Sequence, residues 1–296
     1  MKNKFSLIAL FVFLYTQHAL AIDVPEYKAE LLRTYQTFDA RQAVAVDNDH
    51  FYAIDSFKLS KHRKSDGTPI IQWDGESYGK VAYHLDSAMV VGGKIYASHS
   101  NYGLSPMTSS VEVWDAKTLE HIESHSFGIH LGSFTWLDRH GGYWWGAFAN
   151  YDKVQKKKYD PYGKTENTKV VKMDNDFRVI SSWTLPETLL ARMRPMSNSG
   201  GSWGADGYLY LTGHDYGEIF VMQIPEVGSI LHHAATVKIE HALEGQGIAW
   251  DRSEKGAVLW GVRKKTRQVY KMRMPKISNV ASMPQGVLRT NNFSKK

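Results

Sequence analysis

Cysteine is absent from all 296 residues. That excludes a disulfide framework, so an exported fold would rest on its core alone, and it excludes the acylated cysteine of a lipoprotein anchor. The zinc-protease pattern H-E-x-x-H is absent too. Beyond the N-terminal segment no apolar run is long enough to cross a bilayer, which takes roughly 20 helical residues. Nor does either charge dominate: 36 Lys and Arg stand against 30 Asp and Glu. Such a balance suits an anionic small molecule or polysaccharide and is too mild for nucleic acid. The one basic run, "KVQKKK" from Lys153 to Lys158, reads as a solvated loop.

What is present begins with a targeting signal. Lys2 and Lys4 precede an apolar run from Phe5 to Tyr15, and Ala19 and Ala21 form an A-x-A cleavage pattern. Residues 1–21 therefore read as a signal peptide, with a periplasmic or secreted destination and no membrane anchor after cleavage. Residues 22–285 read as a single domain, and 286–296 as a tail outside it.

Within that domain one grammar recurs. "AVAVDNDHFYAID", "AMVVGGKIYASHS", "FTWLDRHGGYWWGAF", "SWGADGYLYLTGHD" and "IAWDRSEKGAVLWGV" each pair two alternating strands across a turn of Asp, Gly or Asn. The turn residues Asp47, Gly92, Asp138, Asp206 and Asp251 are spaced by 45, 46, 68 and 45. A period of this size built from strands predicts an all-β fold, a β-propeller of five four-stranded blades. Six blades remain the alternative, because the long third interval has room for another. Two insertions account for that interval otherwise: a polar loop around 152–167 and the segment "PETLLARMRPMSNSG", whose Glu187 to Met193 suits a short helix. The last blade lacks a strand after Met274, and the N-terminal "AELLRTYQTF" is expected to supply it.

The repeat also sorts side chains by mouth. The start of each innermost strand shares a face of the ring with the end of the second strand. That face collects Arg41, Gln42, His84, Asp86, Ser87, Ser133, Ser202 and Gln246, together with Asp55, His99, Ser100, Asn101, Asn150, Tyr151, His214, Asp215 and Arg263. The opposite face receives the hairpin turns, where the Asp138-Arg139 and Asp251-Arg252 sequences read as turn-stabilising ion pairs. Histidine suits proton transfer near neutral pH, and the planar fork of arginine suits a carboxylate. No cofactor is required by this chemistry. Zinc held by residues from separate blades stays open as an alternative, and a serine triad is the weakest of the readings.

The phrases "HSNYGLSPMTSSVEVWDAKTLEHIESHSFGI", "GSFTWLDRHGGYWWGAFANYD", "SGGSWGADGYLYLTGHD" and "GQGIAWDR" resemble a family of small exported β-propellers commonly labelled cycloisomerases, over about residues 45–274. A looser similarity is to propeller polysaccharide lyases, in which His and Tyr serve as acid and base and a cation neutralises a uronate. Those resemblances imply a lyase or cycloisomerase acting on a sugar acid or uronate polymer. The expected catalytic residues are His84, His99 and Tyr151, with Asn101, Tyr102, Asn150, His214, Gln246 and Arg263 binding substrate. The rival expectation is a non-catalytic carbohydrate- or solute-binding propeller, with Tyr102, Tyr151 and Tyr216 at its rim.

Overall fold

The computed structural model describes residues 24–76, 83–129, 131–153, 163–214, 217–240 and 244–281. The expected signal peptide, the tail, most of the basic run, His130, Asp215 and Tyr216 lie outside them. No helix among the described residues is long and apolar enough to cross a membrane.

The chain begins with β1 (Glu26–Lys28) and β2 (Glu30–Gln36), both of which serve blades formed much later. Blade 1 runs outward through β3 (Ala43–Val46), β4 (His50–Asp55), β5 (Lys58–Arg63) and β6 (Pro69–Asp74). Blade 2 follows with β7 (His84–Val91), β8 (Lys94–Ser100), β9 (Ser109–Asp115) and β10 (His121–Gly128). Blade 3 comprises β11 (Ser133–His140), β12 (Tyr143–Ala149), β13 (Lys169–Met173) and β14 (Val179–Thr184). After the helix α1 (Glu187–Met193) comes blade 4: β15 (Gly200–Trp203), β16 (Leu209–Thr212), β17 (Glu218–Gln223) and β18 (His232–Lys238). Blade 5 has β19 (Ala249–Trp250), β20 (Val258–Arg263) and β21 (Gln268–Arg273), and β2 completes it as the outer strand. The architecture is a five-bladed β-propeller.

Ring closure is antiparallel from Glu30 opposite Arg273 to Gln36 opposite Gln268, with one register shift between Leu31 and Arg33. One element was not foreshadowed by the repeat: β1 adds a fifth strand to blade 4, parallel to β18. The same N-terminal stretch thus joins two neighbouring blades. Pairing of this kind covers the edges of β18 and β21 and leaves β1 and β2 as the outermost strands of blades 4 and 5.

Each blade is apolar on both faces, as a sheet sandwiched between two others must be. Among the described residues five clusters of the core fall one at each blade interface, and a sixth, smaller one gathers Met107, Ala149 and Tyr151. Trp114, Trp136 and Trp260 are fully buried in three of them. Helix α1 inserts Leu189, Leu190 and Met193 into the cluster between blades 3 and 4. Close approach explains Gly201 on β15: a Cβ built there would lie 2.4 Å from Trp136 Cε2. In the β7–β8 hairpin Gly92 and Gly93 have φ of +58° and +76°, the left-handed pair that a tight two-residue turn demands.

The two expected Asp-Arg turn pairs are replaced by bridges between blades. Asp138 accepts from Arg252 Nη2 at 2.8 Å, from Ser202 Oγ at 2.9 Å and from the Trp203 amide at 2.6 Å. Asp251 pairs instead with Lys64 Nζ at 2.7 Å and takes the Trp260 indole N–H at 2.9 Å. Asp138 lies within β11, not in its turn, and its carboxylate reaches Ser202 and Trp203 of blade 4 and Arg252 of blade 5. Arg139, left out of the exchange, lies over Trp144 and donates to Asn175.

Candidate functional site

The histidine-bearing mouth is built at the seam of blades 1, 2 and 3. β4 ends at Asp55, and Ser56 follows immediately. The Leu85 amide donates to the Ser56 carbonyl at 2.7 Å, which fixes Ser56 beside the first residues of β7. His84 then lies between two partners. Its Nδ1 is 3.1 Å from Ser56 Oγ and its Nε2 is 3.1 Å from Asp86 Oδ1. A carboxylate can only accept, so in the neutral ring Nε2 carries the proton and Nδ1 the lone pair.

Further polar groups extend the chain on both sides. Gln42 Nε2 donates to Ser56 Oγ at 3.0 Å, and Ser56 O–H donates to His84. On the far side Ser100 Oγ approaches Asp86 Oδ2 at 3.4 Å, and Ser133 Oγ donates to Ser100 Oγ at 2.8 Å. Ser133 is also a hydrogen-bonding neighbour of the Tyr151 phenol. The run from Gln42 through Ser56, His84, Asp86 and Ser100 to Ser133 crosses three blades without a break.

The tyrosines pack above it. Tyr102 stacks on His84 with ring centroids 5.2 Å apart, and Tyr151 meets Tyr102 edge-on at 5.3 Å. Tyr151 is buried, and burial followed by the charge of Asp86 pushes its phenol well up from the usual range. It therefore stays protonated, a hydrogen-bond donor within the mouth. His214, like His99, belongs to the same electrostatic neighbourhood, since it feels both Asp86 and His84. Its Nδ1 lies 3.1 Å from the Ser197 carbonyl, which leaves Nε2 as the acceptor. The ring is open to water yet ringed by blades, and that crowding lowers its pKa.

His99 does not join this group in the manner that the blade alignment predicts. Its Nε2 accepts the Tyr83 amide at 2.9 Å, and its Nδ1 donates to Ser110 Oγ at 2.8 Å. Ser110 in turn donates to Glu112, which also holds His121. Both ring nitrogens are thus engaged within blade 2, and burial lowers the His99 pKa. The alternation of β8 accounts for this: Ile95 and Ala97 face the seam with blade 1, and His99 continues their row.

The expected substrate-binding residues divide as well. Tyr102 and His214 reach the site. Asn101 braces its own loop, donating to the Pro106 carbonyl and accepting the Thr108 amide. Asn150 is buried and donates to the carbonyls of Leu131 and Asn167. Gln246 is buried at the start of blade 5, where its backbone carbonyl accepts Thr212 Oγ1. Arg263 Nε faces Glu244 at 3.9 Å. Arg41 is more open: its side chain is 40% exposed and meets Asp55 only at 3.7 Å.

Two sequence patterns resolve into structure rather than chemistry. Residues 200–204 match the letters G-x-S-x-G, but Ser202 sits within β15, donates to Asp138 and accepts the Trp250 amide. It is buried in the bridge between blades, with no helix after it to form a nucleophile elbow. His121 and His125 are four apart on strand β10, where that spacing separates them by about 13 Å. Among the described residues no group of three or more His, Asp or Glu side chains is arranged to hold a metal ion.

At the opposite mouth lies a cavity of about 690 Å³ lined by Asp47, His50, Lys61, Asp251 and Arg252 among others. Its charged groups, however, are largely committed to one another: Asp47 to His50 and Tyr52, Asp251 to Lys64, Arg252 to Asp138. The linked His84–Asp86 group favours the first mouth as the chemical one.

No family model and no curated protein matches this sequence. The structure is similar to the crystal structure of glutaminyl cyclase from Myxococcus xanthus, with a TM-score of 0.56 at 10% sequence identity, covering 88% of this chain and 100% of that one. Hydrazine synthase of Kuenenia stuttgartiensis matches with a TM-score of 0.42 at 13% identity, over 78% of this chain and 70% of that one. The first likeness is one of fold: a propeller of this build serves a cyclising enzyme in M. xanthus.

Proposed function

We propose that this chain is an exported enzyme that moves protons on a carboxylate-bearing substrate, by a lyase or cycloisomerase step, at the mouth shared by blades 1 to 3. The observation that supports it is the His84–Asp86 pair, 3.1 Å apart and only partly exposed. A carboxylate that fixes the imidazole tautomer also stabilises the imidazolium formed when the ring takes a proton, which is what a general base requires. Tyr151, held protonated by its surroundings, would serve as a hydrogen-bond donor beside it. His214 offers a second acceptor from blade 4, and Arg41 is the cation best placed to meet a substrate carboxylate. The glutaminyl cyclase likeness adds that a five-bladed ring of this build is compatible with intramolecular cyclisation.

The test is a panel of uronate polymers and small sugar acids, followed by ultraviolet detection of an unsaturated product and by mass for a ring-closed one. His84→Gln and Asp86→Asn should each lower turnover by about 10²–10⁴-fold, the usual contribution of a positioned acid or base. A second reading, carbohydrate binding without turnover, draws on the ring of Tyr102 stacked at the rim. Calorimetric binding that is lost in Tyr102→Ala, with no product at any enzyme concentration, would replace the catalytic reading with that one.

A further inference from the structure

The lone pair on His84 does not face open water. It faces the hydroxyl of Ser56, and the other nitrogen faces Asp86. The group a substrate would meet is therefore Ser56 itself.

We infer that Ser56, His84 and Asp86 form a nucleophilic triad that cleaves a carboxylic ester of a polar alcohol. The inference rests on the His84–Asp86 pair as the proton-handling unit of the proposed function, but not on lyase or cycloisomerase chemistry. Three features support it. The hydroxyl, imidazole and carboxylate are in series at 3.1 and 3.1 Å, the order that lets a carboxylate orient a histidine that deprotonates a serine. Relative to the usual triad the ring is reversed, with Nδ1 toward serine and Nε2 toward carboxylate; either nitrogen can do either task, because the tautomer follows the carboxylate. Ser56 is also held firmly: its carbonyl accepts the Leu85 amide and its own amide donates to Asp55 Oδ1 at 2.6 Å. Finally, the buried amide of Gln42 lies 3.0 Å from Ser56 Oγ, a donor beside the place where negative charge develops.

The step balances without a cofactor. Ser56 Oγ bonds to the acyl carbon as its proton passes to His84 Nδ1, and the carbonyl electron pair moves onto oxygen beside Gln42. Collapse breaks the bond to the leaving alkoxide, which takes the proton back from His84 and departs as an alcohol. Water then repeats the sequence on the acyl-enzyme, and a free acid leaves. The hydroxyls and amides of this mouth, with Tyr102 above His84, suit a polar, sugar-like leaving alcohol better than a lipid one.

A fluorophosphonate probe tests the triad on the intact protein. Attack by Ser56 on phosphorus expels fluoride while His84 takes the proton, leaving a stable phosphonate ester. The expected result is one adduct per chain, on the peptide bearing Ser56, with no adduct there in Ser56→Ala. Labelling should be slowed at least about 100-fold in His84→Gln and in Asp86→Asn. A short ester with a chromogenic alcohol should show a burst of one equivalent in the native protein. No adduct at Ser56, or labelling undiminished in His84→Gln, overturns the inference. Failure of the uronate panel alongside Ser56 labelling would reject the lyase or cycloisomerase reading and leave the triad. Turnover on that panel without labelling would do the reverse.

Discussion

Asp138 offers a direct measure of how the ring is tied together. Its carboxylate is almost fully enclosed and accepts four donors: the Arg139 amide at 2.7 Å, the Trp203 amide at 2.6 Å, Ser202 Oγ at 2.9 Å and Arg252 Nη2 at 2.8 Å. Asp138→Ala removes all four bonds together. Arg252 is 43% exposed and can turn to water, so its loss costs little. The Trp203 amide and Ser202 hydroxyl are buried and cannot, and each donor stranded in this way costs about 1–3 kcal/mol. The expected destabilisation is about 3–5 kcal/mol, in line with the removal of one partner from a buried charge pair. For a chain of this size that amounts to a fall of roughly 10 °C in Tm. Urea unfolding followed by tryptophan fluorescence measures it, with Arg252→Ala as the comparison and an expected loss of no more than about 1 kcal/mol. Equal losses in the two variants, or a loss under about 1 kcal/mol in Asp138→Ala, would show that the bridge is ornamental.

Three further outcomes follow from the same geometry. Burial, with the charge of Arg192 behind it, lowers the His233 pKa to about 4, so the unfolded chain takes up this proton first as pH falls. Stability is therefore intact above about pH 6.5 and declines toward pH 4, by up to about 3 kcal/mol from this residue, and His233→Gln should flatten the Tm profile between pH 7 and 4.5. Gly201→Ala forces a methyl group into the Trp136 indole and should cost about 1–3 kcal/mol by thermal melt, and Ser202→Ala, which keeps the strand but loses the bond to Asp138 and strands the buried Trp250 amide, should cost about 2–4 kcal/mol. At the site, His99→Gln should leave turnover within a few fold of the native protein while His84→Gln lowers it by at least about 100-fold, because both nitrogens of His99 are engaged inside blade 2. Parallel losses in the two variants would contradict the separation.

The blades were legible because their physical cause is local. A hairpin needs a tight turn between alternating strands, and turns such as Gly92-Gly93 announce themselves. The helix was legible from Pro186 and the spacing of Leu189, Leu190 and Met193, and the closing strand from the gap left after β21. β1 was not, because a three-residue strand lying parallel to β18 has no turn and no alternation to mark it. The site was legible only by region. Sequence alignment of blades placed His84, Asp86 and His214 at one mouth, but alignment alone cannot say which way a side chain turns. The row of Ile95 and Ala97 carried that information for His99 and went unused. Ser56 had no signal at all: it is 28 residues from His84 on a different blade, and only the Leu85 amide bond brings the two together.

The strand that closes the ring, β2, comes early in the described chain, just after β1, and its partner β21 is among the last strands. Glu30 must therefore wait for Arg273 before either can pair, with nearly the whole molecule between them. A contact so distant in sequence makes for slow folding, since the entropy of closing the loop is lost before any of its bonds form. During synthesis the N-terminal segment emerges first and stays unpaired until blade 5 is complete. An unfinished chain cannot lock shut, so the ring closes only once the last blade is available.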